Sequence, residues 1–478
     1  MRKLTKLTYT SIILLLLQLT LLGQSRYAVS RQAFSSHDYD EFCPSLKGDT
    51  LIFSSNREDE FLWTYHDGNN KGLLNIFVLS LENDTLKSKP SVLSKTLVTP
   101  FNDGPAAFSP DGKRIVYSRN QLVKARRRNI HKRSNPLGIY FADPENGSWI
   151  PTEDFPYNHP EYSVTTPCFG PEGRVLYFAS DMPGGMGGTD LYSSEWKDGA
   201  WSKPENLGGS INTEGNEIYP FLAANGDLYY SSDGLGGLGG KDIYLSRKKG
   251  EQWMDPVHLE YPLNSEKDDF GLLTNEDFSE GYLSSNRERS DDIFRFYTQI
   301  PQLFDCDSML TNNYCYEFWD EEYPGIDSLP VVYEWTFSDG TRIEGLRVTH
   351  CFPGAGEHWA RLNIIDNRTD STFYMQSSRE FELVDHEQPF ISGKYEGGVD
   401  ESLSFHGLDS YLPGFQIEQY IWDFGDGGFA EGAQIEHAYG EAGTYILMLG
   451  LKGRQEGSTE VQIRCVQKAV QILGKGQF

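Results

Sequence analysis

The residues of this chain that could carry out chemistry are its carboxylates, cysteines and histidines. Ten histidines are scattered through 478 residues, and the sequence contains neither an HExxH zinc motif nor a GxSxG nucleophile elbow. A glycosidase-type pair of carboxylates stays open among 69 acidic residues, because a single sequence does not give the distance between two side chains. The sequence therefore predicts a protein that is not an enzyme.

Aspartates and glycines combine in two loops of related sequence. Thr166–Tyr192 reads TPCFGPEGRVLYFASDMPGGMGGTDLY, and Tyr219–Tyr244 reads YPFLAANGDLYYSSDGLGGLGGKDIY. Four aspartates flank the glycines of these two copies: Asp181, Asp190, Asp233 and Asp242. We expect the aspartates that follow the glycines to accept backbone N–H groups of their own loop. Calcium is the alternative ligand, although calcium needs several converging oxygens and each loop offers two aspartates. No cofactor is predicted.

Two sets of basic residues are candidate contacts for a partner. Six of the 42 basic residues fall within Lys124–Arg133 (KARRRNIHKR), in a chain whose net charge is −27. This segment is either a solvated loop or a contact for an acidic protein or for phosphate groups. Its candidate contacts are Arg126, Arg127, Arg128, Lys132 and Arg133. The second set follows serine-containing turns, where it either contacts a partner or forms local ion pairs, and consists of Arg57, Arg119 and Arg287.

The six cysteines fall into two environments. Cys43 and Cys168 lie in apolar, strand-like runs, which predicts buried free thiols. Cys306, Cys315 and Cys351 lie together in a later segment. In an exported chain we expect one disulfide among these three, and the sequence does not choose the pair. Metal ligation is not expected, because no CxxC or HxxxH spacing is present.

The glycine loops belong to a repeated hairpin that occurs five times between about Arg26 and Gln299. One serine per copy marks the repeat, at Ser55, Ser118, Ser180, Ser232 and Ser285. Each copy has room for four short strands, and such sheets must stack on neighbours to cover their faces and edges. The sequence therefore predicts an all-β chain whose residues 26–299 form a five-bladed β-propeller, with six blades as the alternative. A strand within Arg26–Phe34 is expected to close the ring.

These repeats resemble the TolB-type, WD-repeat-like propeller repeat of bacterial envelope proteins. The resemblance rests on FSPDGKRIVYSRN at Phe108–Asn120 and on YFASDMPGGMGGTDLY at Tyr177–Tyr192, and it covers residues 26–299. The double-glycine loop is similar to versions in envelope proteins of the Bacteroidetes, where such propellers often accompany peptidoglycan-binding or PKD domains. TolB-type propellers are binding platforms, so the resemblance implies protein–protein interaction without catalysis.

Two longer units follow the repeats and align with each other at an offset of 87 residues. The aligned pairs are Trp335 with Trp422, Phe337 with Phe424, Asp339 with Asp426 and His350 with His437. The motif WDFGDG in the second unit resembles a PKD (polycystic-kidney-disease-type) domain, an immunoglobulin-like β-sandwich. The first unit keeps the spacing but departs from the motif at Thr336, Ser338 and His358. The resemblance implies β-sandwiches at residues 300–386 and 387–474 with interaction or spacer roles.

The polar residues of the PKD-like motif have local explanations. We expect Asp423 and Asp426 to cap the turn that follows Trp422, with a metal site as the alternative. His350 and His437 stand at the same place in both units, which favours a hydrogen bond belonging to the fold over a separate site in each copy.

The amino-terminal residues predict export. A basic start and the apolar run Ser11–Leu22 indicate a cleaved secretory signal at residues 1–23. No cysteine lies near residue 23, so a lipid anchor is not expected, and no later apolar run is long enough to span a membrane. We therefore expect a mature chain without a transmembrane segment, in the periplasm or, as alternatives, at the cell surface or secreted.

The sequence as a whole predicts a non-catalytic envelope protein that binds an unidentified envelope protein through its propeller. The PKD-like units would act as a spacer or a second binding module. A carbohydrate- or peptidoglycan-binding protein is the alternative, with Trp63, Trp201 or Trp253 stacked against sugar; a glycan- or peptide-processing enzyme is the third candidate. The negative charge argues against a nucleic-acid partner.

Overall fold

A computed structural model of the protein describes residues 25–58, 71–82, 85–86, 88–121, 135–320, 330–369 and 371–474. These residues form strands and one 3-10 turn, Lys95–Leu97, which confirms the predicted all-β class. None of their helical segments is long and apolar enough to cross a membrane. The chain divides into two compact units, the first ending at Pro301 and the second beginning at Gln302. The signal segment predicted at residues 1–23 lies outside the described residues.

The first unit repeats one sheet along the chain. Its strands are β1 (Tyr27–Arg31), β2 (Glu41–Lys47), β3 (Thr50–Ser55), β4 (Asn75–Glu82), β5 (Thr85–Leu86), β6 (Ser91–Val92), β7 (Asp103–Phe108), β8 (Ile115–Asn120), β9 (Leu137–Glu145), β10 (Ser148–Asp154), β11 (Val164–Phe169), β12 (Val175–Ser180), β13 (Asp190–Lys197), β14 (Ala200–Trp201), β15 (Glu205–Asn206), β16 (Glu217–Leu222), β17 (Leu228–Ser232), β18 (Asp242–Ser246), β19 (Lys248–Lys249), β20 (Gln252–Trp253), β21 (Val257–His258), β22 (Asp269–Thr274), β23 (Glu280–Ser285) and β24 (Asp292–Thr298).

In the described part of this unit, five sheets of four or five strands follow one another. They are β2–β6, β7–β10, β11–β15, β16–β18 with β21, and β22–β24 with β1; β19 and β20 form a separate small hairpin. The central strands are almost wholly buried, as in β12 (VLYFAS) and β17 (LYYSS). Runs of this kind, apolar on both faces, form when a sheet is covered on both sides.

Contacts between sheets run in a closed, propeller-like order. Ile52 of the first sheet packs in one cluster with Tyr117 of the second, whereas Phe53 packs with Tyr282 of the fifth. The first and fifth sheets are also joined by a hydrogen bond of 2.9 Å from the Cys43 backbone N–H to the Ser284 hydroxyl. The first strand β1 pairs antiparallel with β24, which confirms the closing strand predicted within Arg26–Phe34.

The strand register corrects one detail of the predicted repeat. Glu41 of β2 lies opposite Ser55, and Asp269 of β22 lies opposite Ser285. In the second sheet, Asp103 lies opposite Arg119. Arg119 therefore occupies the position of Ser55, and Ser118 occupies that of Ser54. The sequence analysis aligned Ser118 with Ser55, which was wrong by one residue. The shift places the Arg119 guanidinium against Asp103, where it forms an ion pair.

The second unit contains two layered groups of sheets. Its strands are β25 (Asp307–Ser308), β26 (Cys315–Trp319), β27 (Val331–Phe337), β28 (Arg342–Glu344), β29 (Arg347–Cys351), β30 (Gly356–Asp366), β31 (Ser371–Leu383), β32 (Ser392–Gly393), β33 (Glu396–Gly398), β34 (Ser402–His406), β35 (Phe415–Asp423), β36 (Phe429–Glu431), β37 (Gln434–Ala438), β38 (Gly443–Gln455) and β39 (Gln462–Leu473).

In the first group, the pair β26–β29 packs against β28-β27-β30-β31; in the second, β32-β34-β37 packs against a sheet built on β36-β35-β38-β39. Trp335 and Phe337 lie in the core of the first group, and Trp422 and Phe424 in the core of the second. The short strand β25 pairs in parallel with the last strand, β39. The second group of sheets therefore includes β25, a strand that precedes the first group in the sequence.

The structure confirms the disulfide expected among the three clustered cysteines and adds a second one that was not expected. Cys315 pairs with Cys351, and Cys306 pairs with Cys465, 159 residues away. The expectation was incomplete because Cys465 is distant in sequence and becomes a neighbour of Cys306 only through the pairing of β25 with β39. Cys43 and Cys168 are free and buried, as predicted.

Candidate functional site

The first strands of all five sheets surround one central pocket of about 390 Å³. Its wall is largely apolar and includes Leu46, Phe108, Phe169, Phe221 and Leu273. Lys47, at the end of β2, and Glu276, in the turn after β22, also line the pocket. A concave, mainly apolar cavity with a few polar groups is the usual form of a binding site.

The backbone of the pocket wall is irregular in the same way in every sheet. Each first strand contains a register shift, and one residue beside it has a positive φ: Cys43 (52°), Gly104 (116°), Thr166 (48°), Tyr219 (58°) and Gly271 (59°). Proline follows in four of the five, at Pro44, Pro105, Pro167 and Pro220. All four prolines line the cavity, and proline has no N–H that the interrupted ladder would leave unpaired. Strained backbone of this kind collects at ligand sites.

Hydrogen bonds between sheets hold two of these strained residues. The Thr166 backbone N–H donates to the Ser118 hydroxyl of the preceding sheet at 2.9 Å, and Cys43 makes the equivalent bond to Ser284. The neighbouring sheet therefore stabilises the positive-φ conformation of these two residues.

The titratable groups of the wall are poorly suited to acid–base or nucleophilic chemistry. Burial raises the pKa of the Cys168 thiol to about 11 and raises the pKa of the Cys43 thiol well above its usual value. Burial likewise raises the pKa of the Tyr219 hydroxyl. A nucleophilic cysteine needs a lowered pKa, whereas these thiols stay protonated at neutral pH.

Buried carboxylates begin four of the first strands: Glu41, Asp103, Glu217 and Asp269. Each accepts hydrogen bonds from the connection that enters its sheet; for example, the Thr213 backbone N–H donates to Glu217 at 2.8 Å. Burial raises the pKa of Glu41 and of Asp103, and their arginine partners oppose the shift. Our sequence reasoning missed this set, although an acid two or three residues before proline was visible in three copies.

The three predicted contact arginines lie beside these carboxylates. Arg57 pairs with Glu41 at 2.7 Å, and Arg119 and Arg287 form ion pairs with Asp103 and Asp269. The exposed fractions of the three side chains are 13%, 14% and 16%. Each also donates to a backbone carbonyl of the entering connection. This is the ion-pair alternative of the sequence analysis, and these arginines therefore form no part of the contact surface proposed below.

The aspartates of the glycine loops act within the fold. Asp190 accepts backbone N–H bonds from Met186 and Gly187, and Asp242 accepts them from Leu238 and Gly239. These are the bonds that the sequence predicted. The other two aspartates bind the backbone of the connection that enters their sheet: Asp181 accepts from Ser163 and Asp233 from Asn216. All four carboxylates thus accept backbone hydrogen bonds within the fold.

A further group of possible metal ligands combines His37, Glu288 and Asp292, whose ligand atoms lie within 4.8 Å of one another. The Arg31 guanidinium lies among them, with Nε 3.2 Å from Asp292 and 3.7 Å from Glu288. This guanidinium supplies the positive charge that a cation would otherwise bring. Beside it, burial and the neighbouring Asp40 raise the pKa of Asp291 to about 6.

The PKD-like motif residues of the second unit cap a turn and hold a histidine ring in place. The Asp426 carboxylate accepts from the Gly428 backbone N–H at 2.9 Å and contacts His437 Nε2 at 2.7 Å. The His437 ring stacks on Phe424 at 3.7 Å. Asp423 accepts from the Gly425 backbone N–H at 2.9 Å. These bonds are the turn caps and the fold-level histidine bond that the sequence predicted.

The same set recurs 87 residues earlier. There His350 Nε2 lies 3.0 Å from Asp339, and its ring stacks on Phe337 at 3.9 Å. The indole of Trp422 donates to the Gly432 carbonyl at 2.8 Å, whereas the buried indole N–H of Trp335 has no partner within the described ranges.

The basic segment Lys124–Arg133, with Arg126, Arg127, Arg128, Lys132 and Arg133, lies outside the described residues. Its flanks are described. The Gln121 backbone N–H donates to the Pro136 carbonyl at 2.8 Å, so the segment leaves and re-enters the second sheet at adjacent points. Its role as a partner contact stays a prediction.

Comparison with known proteins identifies one domain. The sequence profile of the PKD domain matches residues 387–466. Collagenase ColA of Bacillus cereus is 32% identical over 78 residues, 16% of this chain and 8% of the collagenase. Human polycystin-1 is 27% identical over 124 residues, 25% of this chain and 3% of polycystin-1. The chain thus spans less than a tenth of either relative. A PKD domain together with disulfides is typical of exported proteins.

Solved structures give weaker similarities. An α-L-arabinofuranosidase from Lactobacillus brevis is 11% identical with a TM-score of 0.37, over 57% of this chain and 94% of that one. A protein of unknown function from Dyadobacter fermentans is 11% identical with a TM-score of 0.34, over 94% of this chain and 99% of that one. TM-scores this low support no inference about function.

Proposed function

We propose that this protein is a non-catalytic, exported envelope protein whose central pocket binds an apolar segment of a protein partner. The observation that carries the proposal is the pocket itself, formed by the first strands of all five sheets and lined with prolines and apolar side chains. Apolar side chains buried in a pocket supply much of the binding energy of protein interfaces. TolB-type propellers, which the repeats resemble, are binding platforms.

Binding is proposed over catalysis because the buried polar groups beside the pocket are either protonated thiols or carboxylates that already accept hydrogen bonds. The two thiols in its wall have raised pKa values. The carboxylates that begin the first strands accept hydrogen bonds from their own connections. A general acid or base must instead present its proton-carrying atom to a substrate.

For the second unit, we propose a spacer or second binding module made of two PKD domains. The profile match covers the second. The first is proposed from the repeated stack of Phe337 on His350 with its Asp339 bond, which matches the second at an offset of 87. A secretory signal at residues 1–23 and a periplasmic location complete the proposal.

The test uses a matched pair of leucines. Leu46 lines the pocket and Leu235 lies in the glycine loop of the fourth sheet, and both are 36% exposed. The full chain and the variants Leu46→Glu and Leu235→Glu are used to capture proteins from envelope extracts. We expect one reproducible protein partner that Leu46→Glu loses, because a carboxylate at the pocket wall must be desolvated when an apolar segment binds. Equal capture by Leu46→Glu and wild type would remove the pocket from the proposal.

A further inference from the structure

A second cavity, of about 460 Å³, lies between the second and third sheets. One wall is aromatic, made of Trp196 and Trp201 with their ring centroids 5.3 Å apart. The lining also includes the charged side chains of Arg114, Asp143 and Glu172. The cavity shares Ser109, Pro110 and Phe169 with the central pocket, so the two are adjacent but differ in chemistry.

The aromatic wall is held in place by the core. Trp201 is 6% exposed and stacks on Phe141 with an interplanar angle of 8°. Trp196 lies directly opposite Trp201 in the β13–β14 hairpin. Trp196 itself is 38% exposed. The buried indole therefore fixes the position of the accessible one, and such a rigid aromatic face makes an efficient contact surface.

One polar group of the aromatic wall is unpaired. The Trp201 indole N–H is buried and has no hydrogen-bond partner among the described residues. Buried polar groups are nearly always paired, so each exception calls for an explanation such as an absent ligand or water.

The charged side chains of the lining select for a neutral ligand. Arg114 holds Asp143 through two bonds of 2.8 and 3.0 Å, and it also reaches Glu153 at 3.3 Å. The charged residues that line the cavity are Asp111, Asp143 and Glu172 against Lys113 and Arg114. Charges of both signs therefore face the cavity, and a guanidinium in the wall disfavours a cationic ligand. The fixed donors and acceptors suit a ligand rich in hydroxyl groups.

From these observations we propose that this cavity binds a neutral sugar ring of a glycan, with the ring face on Trp196 and the hydroxyl groups on Arg114, Asp143 and Glu172. A pyranose has an apolar C–H face and a rim of hydroxyl groups, which matches an aromatic wall and a lining with charged side chains. The site goes beyond the proposed protein-binding pocket, and its test is independent of that proposal.

The fourth sheet provides a natural control. Its β19–β20 hairpin pairs Lys248 with Trp253 at the positions that Trp196 and Trp201 occupy in the third sheet. The variant Trp196→Lys therefore introduces a residue that the repeat already tolerates at this position. Trp253→Ala removes an equivalent indole from outside the cavity.

Isothermal titration calorimetry of the full chain would use three neutral tetrasaccharides: cellotetraose, maltotetraose and N-acetylchitotetraose. We expect saturable binding of at least one, weakened about tenfold or more by Trp196→Lys. Glu172→Gln should weaken it about threefold or more, and Trp253→Ala should leave it unchanged. Absence of binding by all three sugars up to about 10 mM would overturn the proposal. Unchanged affinity in Trp196→Lys, or competition by tetramethylammonium at this site, would also overturn it.

Discussion

The two units of this chain secure their sheets by different means. In the described part of the first unit the two cysteines are free, and polar contacts repeated around the ring join each sheet to its entering connection. The second unit relies on two disulfides. The difference follows from topology, because every sheet of a closed ring has two neighbours, whereas tandem sandwiches have ends that must be joined separately.

The repeated contacts of the ring also permit substitution. In three sheets an arginine pairs with the first carboxylate. The fourth sheet satisfies Glu217 with the hydroxyl groups of Thr213 and Ser232. The third sheet has Val164 at the position of the carboxylate and Met182 at the position that Arg57 and Arg287 occupy in their sheets. A contact that occurs several times can be replaced in one copy, whereas the Cys306–Cys465 bond has no second copy in the described residues.

The largest effect is expected from the disulfides of the second unit. Removal of the Cys306–Cys465 bond by serine substitutions frees a loop of 159 residues and should cost about 5 kcal/mol of unfolding free energy. The same change at Cys315 and Cys351, which enclose 36 residues, should cost about 4 kcal/mol. Calorimetry of the full chain should show that both variants lower the melting temperature of the second unit and leave that of the first unit unchanged. If reduction lowered the melting temperature of the first unit equally, the contrast between the units would be wrong.

A smaller loss is expected from one arginine of the ring. Arg287→Ala leaves the fully buried Asp269 without its cation, which should destabilise the first unit by about 3 kcal/mol. The control is Arg289→Ala, an exposed arginine of the same loop. The double variant Asp269→Val with Arg287→Met copies the third sheet and should recover most of the loss. Urea unfolding measures all three, and a double variant no better than Arg287→Ala would contradict the interchangeability of ring contacts.

The smallest effect concerns pH. The folded-state pKa of Asp291 is about 6, above its ordinary value of 3.8, so the folded chain binds this proton more tightly than the unfolded chain. Stability is therefore lost as the pH rises from about 4 to about 6. Asp291→Asn should remove this loss and stabilise the first unit by at most about 3 kcal/mol at pH 7, with little effect at pH 4. Urea unfolding at both pH values checks this, with the exposed Asp255→Asn as control; equal shifts at both pH values would contradict it.

The elements that local sequence determines were predictable. The glycine loops, the aspartates that cap them and the strand that closes the ring follow from turn chemistry and repeat spacing. The hydrogen bond of His437 to Asp426 was predicted from the paired positions 87 residues apart. In each case the partners lie close in sequence or occur twice.

The features that depend on distant parts of the chain were not predictable. Cys465 meets Cys306 only after β39 has paired with β25. The central pocket exists only once five first strands have converged, each contributing part of the wall. The sugar-site hypothesis needed Arg114 and Trp196 in the lining of one cavity, although the sequence had already named Trp201 as a possible stacking residue.

The Cys306–Cys465 bond also determines how the chain responds to pulling. Tension between the first unit and residues after Cys465 passes from one sulfur to the other, so the 159-residue interval between them is bypassed. The part of the chain inside that interval then bears no load, whereas residues 466–473 of β39 lie outside it and still do. Reduction would expose a hidden length of about 55 nm when that interval is fully extended. The bond therefore makes the second unit a short, inextensible strut in an oxidising compartment and an extensible tether in a reducing one.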